Sequence, residues 1–335
     1  MKIVDYGRSA LPADSNLFYC DRWISVLAEC YGFQFKMVVD EKPLLIFAEV
    51  QDVYGSRIIS MPFSDYTEPY VTEDEQITAI ADFLMREYST SIIILKLHGQ
   101  YEQLTPIGFE NIRQAFCHRI DLKTGEDEVW QKTGRHFKKG VRKARENRVT
   151  VKAVNSEDGV TIFYDMLTRL RRVKFNILPQ SKEFYSLLYK HFIQDGQGNI
   201  WVAFHKDNPV ASAFVLHSGN VMFDKMGVSE PSHLDLRPNN LLLWEVMKYG
   251  IEQRKCCLDM GLSQVDYEGL IRFKDSLGGQ RSSINFYRYL PPGYDGGRDS
   301  EIKKLFSSIT HFLVESSMSD AELQHVSDFL YKYFC

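Results

Sequence analysis

The sequence predicts an α/β (α+β) fold in two domains, and three observations carry that reading. The chain has 335 residues, enough for two cores of ordinary size. Its first 120 residues alternate strand-length apolar runs with helical stripes. Its second half, residues 149–290, spells strand, helix, helix, three strands joined by tight turns, helix, strand, helix, strand. Composition removes several other classes. Hydrophobic residues make up 44% and charged residues 25%, which is globular, and no apolar run reaches the twenty or so residues that span a bilayer. A net charge of -4 argues against bulk attraction to polyanions, so any anion site must be local. The N-terminus has no apolar signal core, which predicts a cytoplasmic protein. Cys20, Cys30, Cys117, Cys256, Cys257 and Cys335 have neither zinc nor disulfide spacing, so reduced thiols and no metal site are expected.

In the first domain, expected over residues 1–126, Trp23, Val26, Leu27 and Cys30 fall on one helical face. Residues 35–40 and 43–50 flank a short turn as a hairpin, and 56–61 is a third strand. It runs into the Pro- and aromatic-rich loop 62–70. A helix over 75–88, a buried strand over 91–97 and a last strand over 117–122 complete the domain.

Residues 127–148 change character. Lys132, Arg135, Lys138, Lys139, Arg142, Lys143, Arg145 and Arg148 dominate, while Trp130, Phe137, Val141 and Ala144 recur at helical spacing. A basic connecting helix follows, either a solvated face or a grip on a phosphate-bearing ligand. In residues 149–290, Asp207-Asn208-Pro209 and Ser218-Gly219-Asn220 separate the strands of an antiparallel meander. Pro238 opens a helix whose buried side carries Leu241, Leu242, Val246 and Tyr249. Gly269–Gly279 then forms a short helix closed by glycines, with Lys274 held near its end, where a fixed lysine can serve an anion. Residues 291–335 read as a linker and two amphipathic helices, the second with a capping box from Ser319 to Glu322. These pack on the core or form a homodimer contact.

The element order of residues 149–290 matches the GNAT acyltransferase fold, and the first domain is compatible with a degenerate copy. The chain also resembles the FemAB-like family, the peptidyltransferases that add amino acids to cell-wall precursors, and its relatives in exopolysaccharide clusters. The stretches that carry the resemblance are Met61–Tyr66, Lys139–Ala144, Arg171–Lys174 through Leu178-Pro179-Gln180, Pro238–Trp244 and Gly269–Gly278 with Phe273-Lys274. It implies two fused GNAT-like domains with a substrate cleft between them. It also implies an acyl-transfer centre at Phe273-Lys274, with Lys274 facing the negative charge, and aminoacyl-tRNA as donor in several members. One departure bears on the donor. Acyl-CoA enzymes of this fold carry a glycine-rich pyrophosphate loop before the helix, whereas residues 226–240 keep only Gly227 and place Pro238 at the helix start.

The implied function is transfer of an activated acyl or aminoacyl group to an amine or hydroxyl of a cell-envelope or polysaccharide precursor. Attack is direct, since no Ser-His-Asp or Cys-His signature is visible. No resident cofactor is expected; the donor is a co-substrate, aminoacyl-tRNA or acyl-CoA. Lys274 would stabilise the oxyanion or a donor phosphate, and Asp224 would serve as base or positioning group. Arg142 and Arg172 would grip phosphates of the donor or of a nucleotide- or lipid-linked sugar acceptor. Arg237, Asn239 and Asn240 would bind substrate at the helix start, and Asp65 and Tyr66 would line the cleft from the first domain. The alternatives are an acyl-CoA-dependent N- or O-acyltransferase and a non-catalytic RNA-binding protein using the basic helix.

Overall fold

The computed structural model describes residues 1–7, 16–67, 70 and 73–334. Cys335 and, in the loop after Met61, Glu68 and Pro69 lie outside the described residues. In chain order the first elements are β1 (Lys2–Asp5), α1 (Asp21–Tyr31), β2 (Gln34–Val39), β3 (Pro43–Asp52), β4 (Gly55–Ile59), α2 (Asp74–Glu87), β5 (Ile92–His98) and β6 (Phe109–Asp121). They continue with α3 (Glu126–Lys132), α4 (Arg135–Glu146), β7 (Thr150–Ala153), α5 (Glu157–Leu170), α6 (Lys182–Leu188), β8 (Gly198–His205), β9 (Asn208–Ser218) and β10 (Val221–Ser229). Then come α7 (Pro238–Glu252), β11 (Cys257–Gln264), α8 (Glu268–Ser276), β12 (Gln280–Tyr289), α9 (Gly296–Glu315) and α10 (Asp320–Leu330).

Two compact units result, residues 1–116 with 282–312 and 332–335, and residues 117–281 with 313–331. In the first, β1 to β4 pair antiparallel in sequence, β5 runs parallel to β4, and β12 pairs antiparallel with β5 from Ile284↔His98 to Tyr289↔Ile93. Its core gathers Phe47, Ile77, Leu84, Ile93, Leu97 and Tyr287. In the second, β7 to β10 pair antiparallel in sequence and β11 runs parallel to β10. Both units therefore share an order of strand, helix, three-strand meander, helix and parallel strand, with a second helix, α6, inserted before the meander of the second unit.

The boundaries differ from those read in the sequence. The first unit ends at Phe116, not 126, and recovers its last strand, β12, from late in the chain. The basic segment is two helices rather than one connecting helix. Thr133 turns extended, its Oγ1 donates to the Trp130 carbonyl (2.8 Å), and the Gly134 N–H is taken by the Ser276 carbonyl (2.7 Å). Phe137, Val141 and Ala144 of α4 join Leu241, Leu242 and Trp244 of α7 in the second unit's core.

The tail packs on both units through separate segments. Leu178, Val314 and Leu323 form a small cluster in the second unit, and the Ser319–Glu322 capping box is present. Among the described residues the five cysteines form no disulfide, no metal-binding cluster occurs, and no helix is long and apolar enough to cross a membrane.

Candidate active site

Strands β10 and β11 begin as a parallel pair, Val221↔Cys257, Met222↔Leu258 and Phe223↔Asp259, and their pairing stops there although both continue. A bulge between Asp224 and Met226 on β10 marks the parting. On β11, Gly261 sits at φ 63, a left-handed conformation that turns the strand so that consecutive carbonyls converge. Lys274 answers them. Its buried Nζ donates to the carbonyls of Met260 (2.6 Å), Gly261 (3.2 Å) and Leu262 (3.3 Å), which matches an ammonium's three donors.

Around this anchor lies a polar network within the second unit that runs from buried Asp259 and His118 to the surface. Asp259, fully buried, accepts from Arg119 Nε (3.0 Å), Cys117 Sγ (3.2 Å) and the Gly261 N–H (2.8 Å). His118, also fully buried, meets Asp275 at 3.2 Å, and Arg281 grips the same carboxylate through Nε at 2.7 Å. Burial first, then the Lys274 charge, pulls the His118 pKa below the ordinary imidazole value, against the opposing pull of Asp275. The Arg281 guanidinium in turn holds the Asp275 carboxyl below the usual carboxylate range.

A cleft of about 660 Å³ opens beside this network. Three elements line it. From α4 come His136, Phe137, Lys139, Gly140 and Lys143; from the turn into α7 come Leu234, Arg237, Pro238, Asn239 and Asn240; and from α8 come Gly269, Arg272, Phe273 and Ser276. On α4 and α8 the lining residues recur at i, i+3, i+4 and i+7, the spacing of one helix face. Among the described residues no carboxylate lines this cleft, while Lys139, Lys143, Arg237 and Arg272 do. The start of α7 adds the positive end of a helix dipole, with Arg237 in a left-handed conformation as its cap. Helices α4 and α7 approach closely because residue 140 is glycine: a Cβ there would lie 2.5 Å from the Asn240 side chain. Such a site favours an anionic ligand.

The sequence model of the acetyltransferase (GNAT) domain family matches residues 131–269, which include most of the cleft. Residues 131–269 are thus similar to an acetyltransferase (GNAT) domain. Among solved structures it is similar to FemX, with a TM-score of 0.64 at 13% identity over 87% of this chain and 97% of that one. It is similar also to L-PGS from Bacillus licheniformis, with a TM-score of 0.55 at 13% identity over 84% and 91%. A conserved protein of unknown function from Bacteroides thetaiotaomicron gives 0.54 at 11% identity over 80% and 89%. At these identities the likeness is one of fold. No functionally curated sequence matches the chain.

The structure brings some of the expected residues together and disperses others. Phe273, Arg237, Asn239 and Asn240 share the cleft, with Asn239 Nδ2 donating to Ser229 Oγ (3.2 Å). Lys274 is not a lining residue of the cleft, and its Nζ donates to carbonyls of β11. Arg142 lies on another face of α4, in a shallow groove with Arg135, Lys138 and Lys139. Arg172 is held by Asp320 (2.9 Å) and the Ser316 carbonyl (3.2 Å), so it clamps the tail to the second unit. Asp224 is half-buried at the β10 bulge and is not a lining residue. In the first unit Asp65 is half-buried, while Tyr66 is fully buried with its ring edge-on to Phe18 (5.2 Å). The sequence alone gives His136, Lys139, Lys143 and Arg272 no individual role, although Lys139 and Lys143 belong to its basic segment. The signal existed: His136, Lys139, Gly140 and Lys143 form a helical stripe that is adjacent to, not identical with, the apolar stripe Phe137-Val141-Ala144.

Proposed function

We propose that the protein is a FemAB-like aminoacyl or acyl transferase that moves an activated acyl group onto an amine or hydroxyl of a cell-envelope or polysaccharide precursor. The observation that supports this best is the cationic cleft at the start of α7, with four basic side chains and no carboxylate among its described lining residues. A phosphate-bearing substrate, the donor or a nucleotide- or lipid-linked acceptor, fits that charge. Likeness of fold to FemX favours aminoacyl transfer.

In this reading Lys139, Lys143, Arg237 and Arg272 bind the phosphates, and the side-chain amides of Asn239 and Asn240 orient the acyl carbonyl. Phe273 walls the reacting centre. Donors fixed in place before reaction lower a barrier by about 3 kcal/mol each when aimed at the developing oxyanion. Lys274 acts as a positioning residue: by tying α8 to the carbonyls of β11 it fixes Arg272 and Phe273 relative to the parting strands. Attack by the acceptor is direct, and the reaction takes place in the cytoplasm with the donor as co-substrate.

The match to an acetyltransferase domain favours a second donor, acyl-CoA. A transfer assay separates the two. Purified protein is given a nucleotide-linked amino-sugar acceptor with either labelled aminoacyl-tRNA or labelled acetyl-CoA, and product is read by mass. Aminoacylated product with tRNA alone supports the proposal, and acetylated product with CoA alone replaces it with the second reading. No transfer from either donor, to amino-sugar and lipid-linked acceptors alike, would sink both.

A further inference from the structure

We propose that the loop closing α5, residues 171–177, is a docking surface for an anionic phospholipid bilayer. This inference stands apart from the acyl-transfer reading. Helix α5 does not end in an ordinary turn: it widens into a π-helical turn over Arg171–Phe175 and stops at Asn176, which is left-handed at φ 51. The widened turn carries large apolar side chains outward. Val173 is 77% exposed, and Phe175 and Ile177 are 39% and 38% exposed. Three such residues within five positions on one loop exceed the scatter of single apolar residues that any surface shows.

Charge selects the occupant. From Met166 to Lys182 the sequence holds five cations and no carboxylate. Two of these are committed within the second unit, Arg169 to Glu230 and Arg172 to Asp320. Of the other three, Lys182 lies over the Tyr164 ring at 6.0 Å, while Arg171 and Lys174 stand beside the apolar tip, 5.7 Å and 5.2 Å from the Phe175 ring. The carboxylates that reach the loop, Asp320 and Glu315, are held by Arg172 and Asn176. An aromatic and two aliphatic side chains set beside the exposed Lys174 and the half-buried Arg171 suit the headgroup boundary of an anionic bilayer, where the apolar tips enter and the cations stay with the phosphates. A second copy of this chain would have to bury the same two cations against itself.

The test uses the full chain and co-sedimentation with phosphatidylcholine vesicles, with and without phosphatidylserine. Binding is expected to the phosphatidylserine vesicles alone and to weaken as salt rises. The double substitution Val173→Asp with Phe175→Asp should reduce it at least ~tenfold, and Lys174→Glu ~fivefold, with circular dichroism unchanged. Arg142→Ala, in the basic groove of α4, should leave it within about twofold. Absence of binding to phosphatidylserine vesicles overturns the proposal. So does binding that survives the double substitution, or that Arg142→Ala abolishes. Self-association lost in the double variant, without vesicle binding, would assign the loop to a second copy instead.

Discussion

At the scale of single residues the informative side chain is Lys274. A lysine near a helix end, beside a phenylalanine, suggested a charge turned to substrate; the structure turns it to three backbone carbonyls. The two roles predict different variants. Lys274→Met should remove three hydrogen bonds made by a buried charged donor, so its main effect is a lower melting temperature together with lost turnover. A folded variant with wild-type melting and no turnover would return Lys274 to the reaction. Sequence could not separate the roles, because the bend that gathers the carbonyls depends on Gly261, a strand glycine with no helical signal of its own. Histidines give a second test. His217 is buried against Tyr249, and burial first, then Lys255, lowers its pKa from 6.5 to about 4; His118 is shifted the same way. Because the folded pKa lies below the unfolded one, the unfolded chain binds protons preferentially. Stability is full above the unfolded value of 6.5 and falls as pH drops towards about 4, by up to about 3 kcal/mol for His217. Denaturant melts between pH 7 and 5 should show this loss, and His118→Gln with His217→Leu should flatten it.

At the scale of elements the phase of α4 decides which of its cations line the cleft. Its apolar stripe was legible in the sequence, since Phe137, Val141 and Ala144 recur at helical spacing and are buried. Which of the remaining faces meets a ligand was not legible, because cations cover them all and only the packing of α7 and α8 selects Lys139 and Lys143. Lys139→Ala or Arg272→Ala is accordingly expected to raise KM about tenfold, as loss of a charge-assisted hydrogen bond does. Arg142→Ala should change KM by less than about threefold, as an exposed charge outside the cleft. Equal effects would place the ligand across both faces. Gly140→Ala sets two opposed magnitudes against each other. Helix propensity gains roughly 0.5–1 kcal/mol, and crowding costs roughly 1–3 kcal/mol. With a Cβ 2.5 Å from the Asn240 side chain, crowding wins and Asn240 is displaced. Small destabilisation with a larger loss of turnover is the expected result, measured by melting and initial rates.

At the scale of the molecule, helices and meanders were readable because period and turn chemistry are local, as the hairpin at 35–50 and the strands at 199–226 show. Domain boundaries were not, because β12 pairs with β5 across a separation that no local pattern encodes. A fragment of residues 1–126 therefore lacks β12 and leaves β5 with an open edge, so it should aggregate rather than fold as a monomer. A cooperative, monomeric melt of that fragment would refute the exchange of strands as a requirement for folding. The central claim, that the cleft at the start of α7 holds a phosphate-bearing substrate, is tested most directly by calorimetric titration of wild type and a Lys139→Ala, Arg272→Ala variant with aminoacyl-tRNA, a nucleotide-linked sugar precursor and acetyl-CoA. Salt-sensitive binding of tRNA or the precursor by wild type, weakened at least tenfold in the variant, is the predicted result. Equal affinity in both proteins would contradict the account.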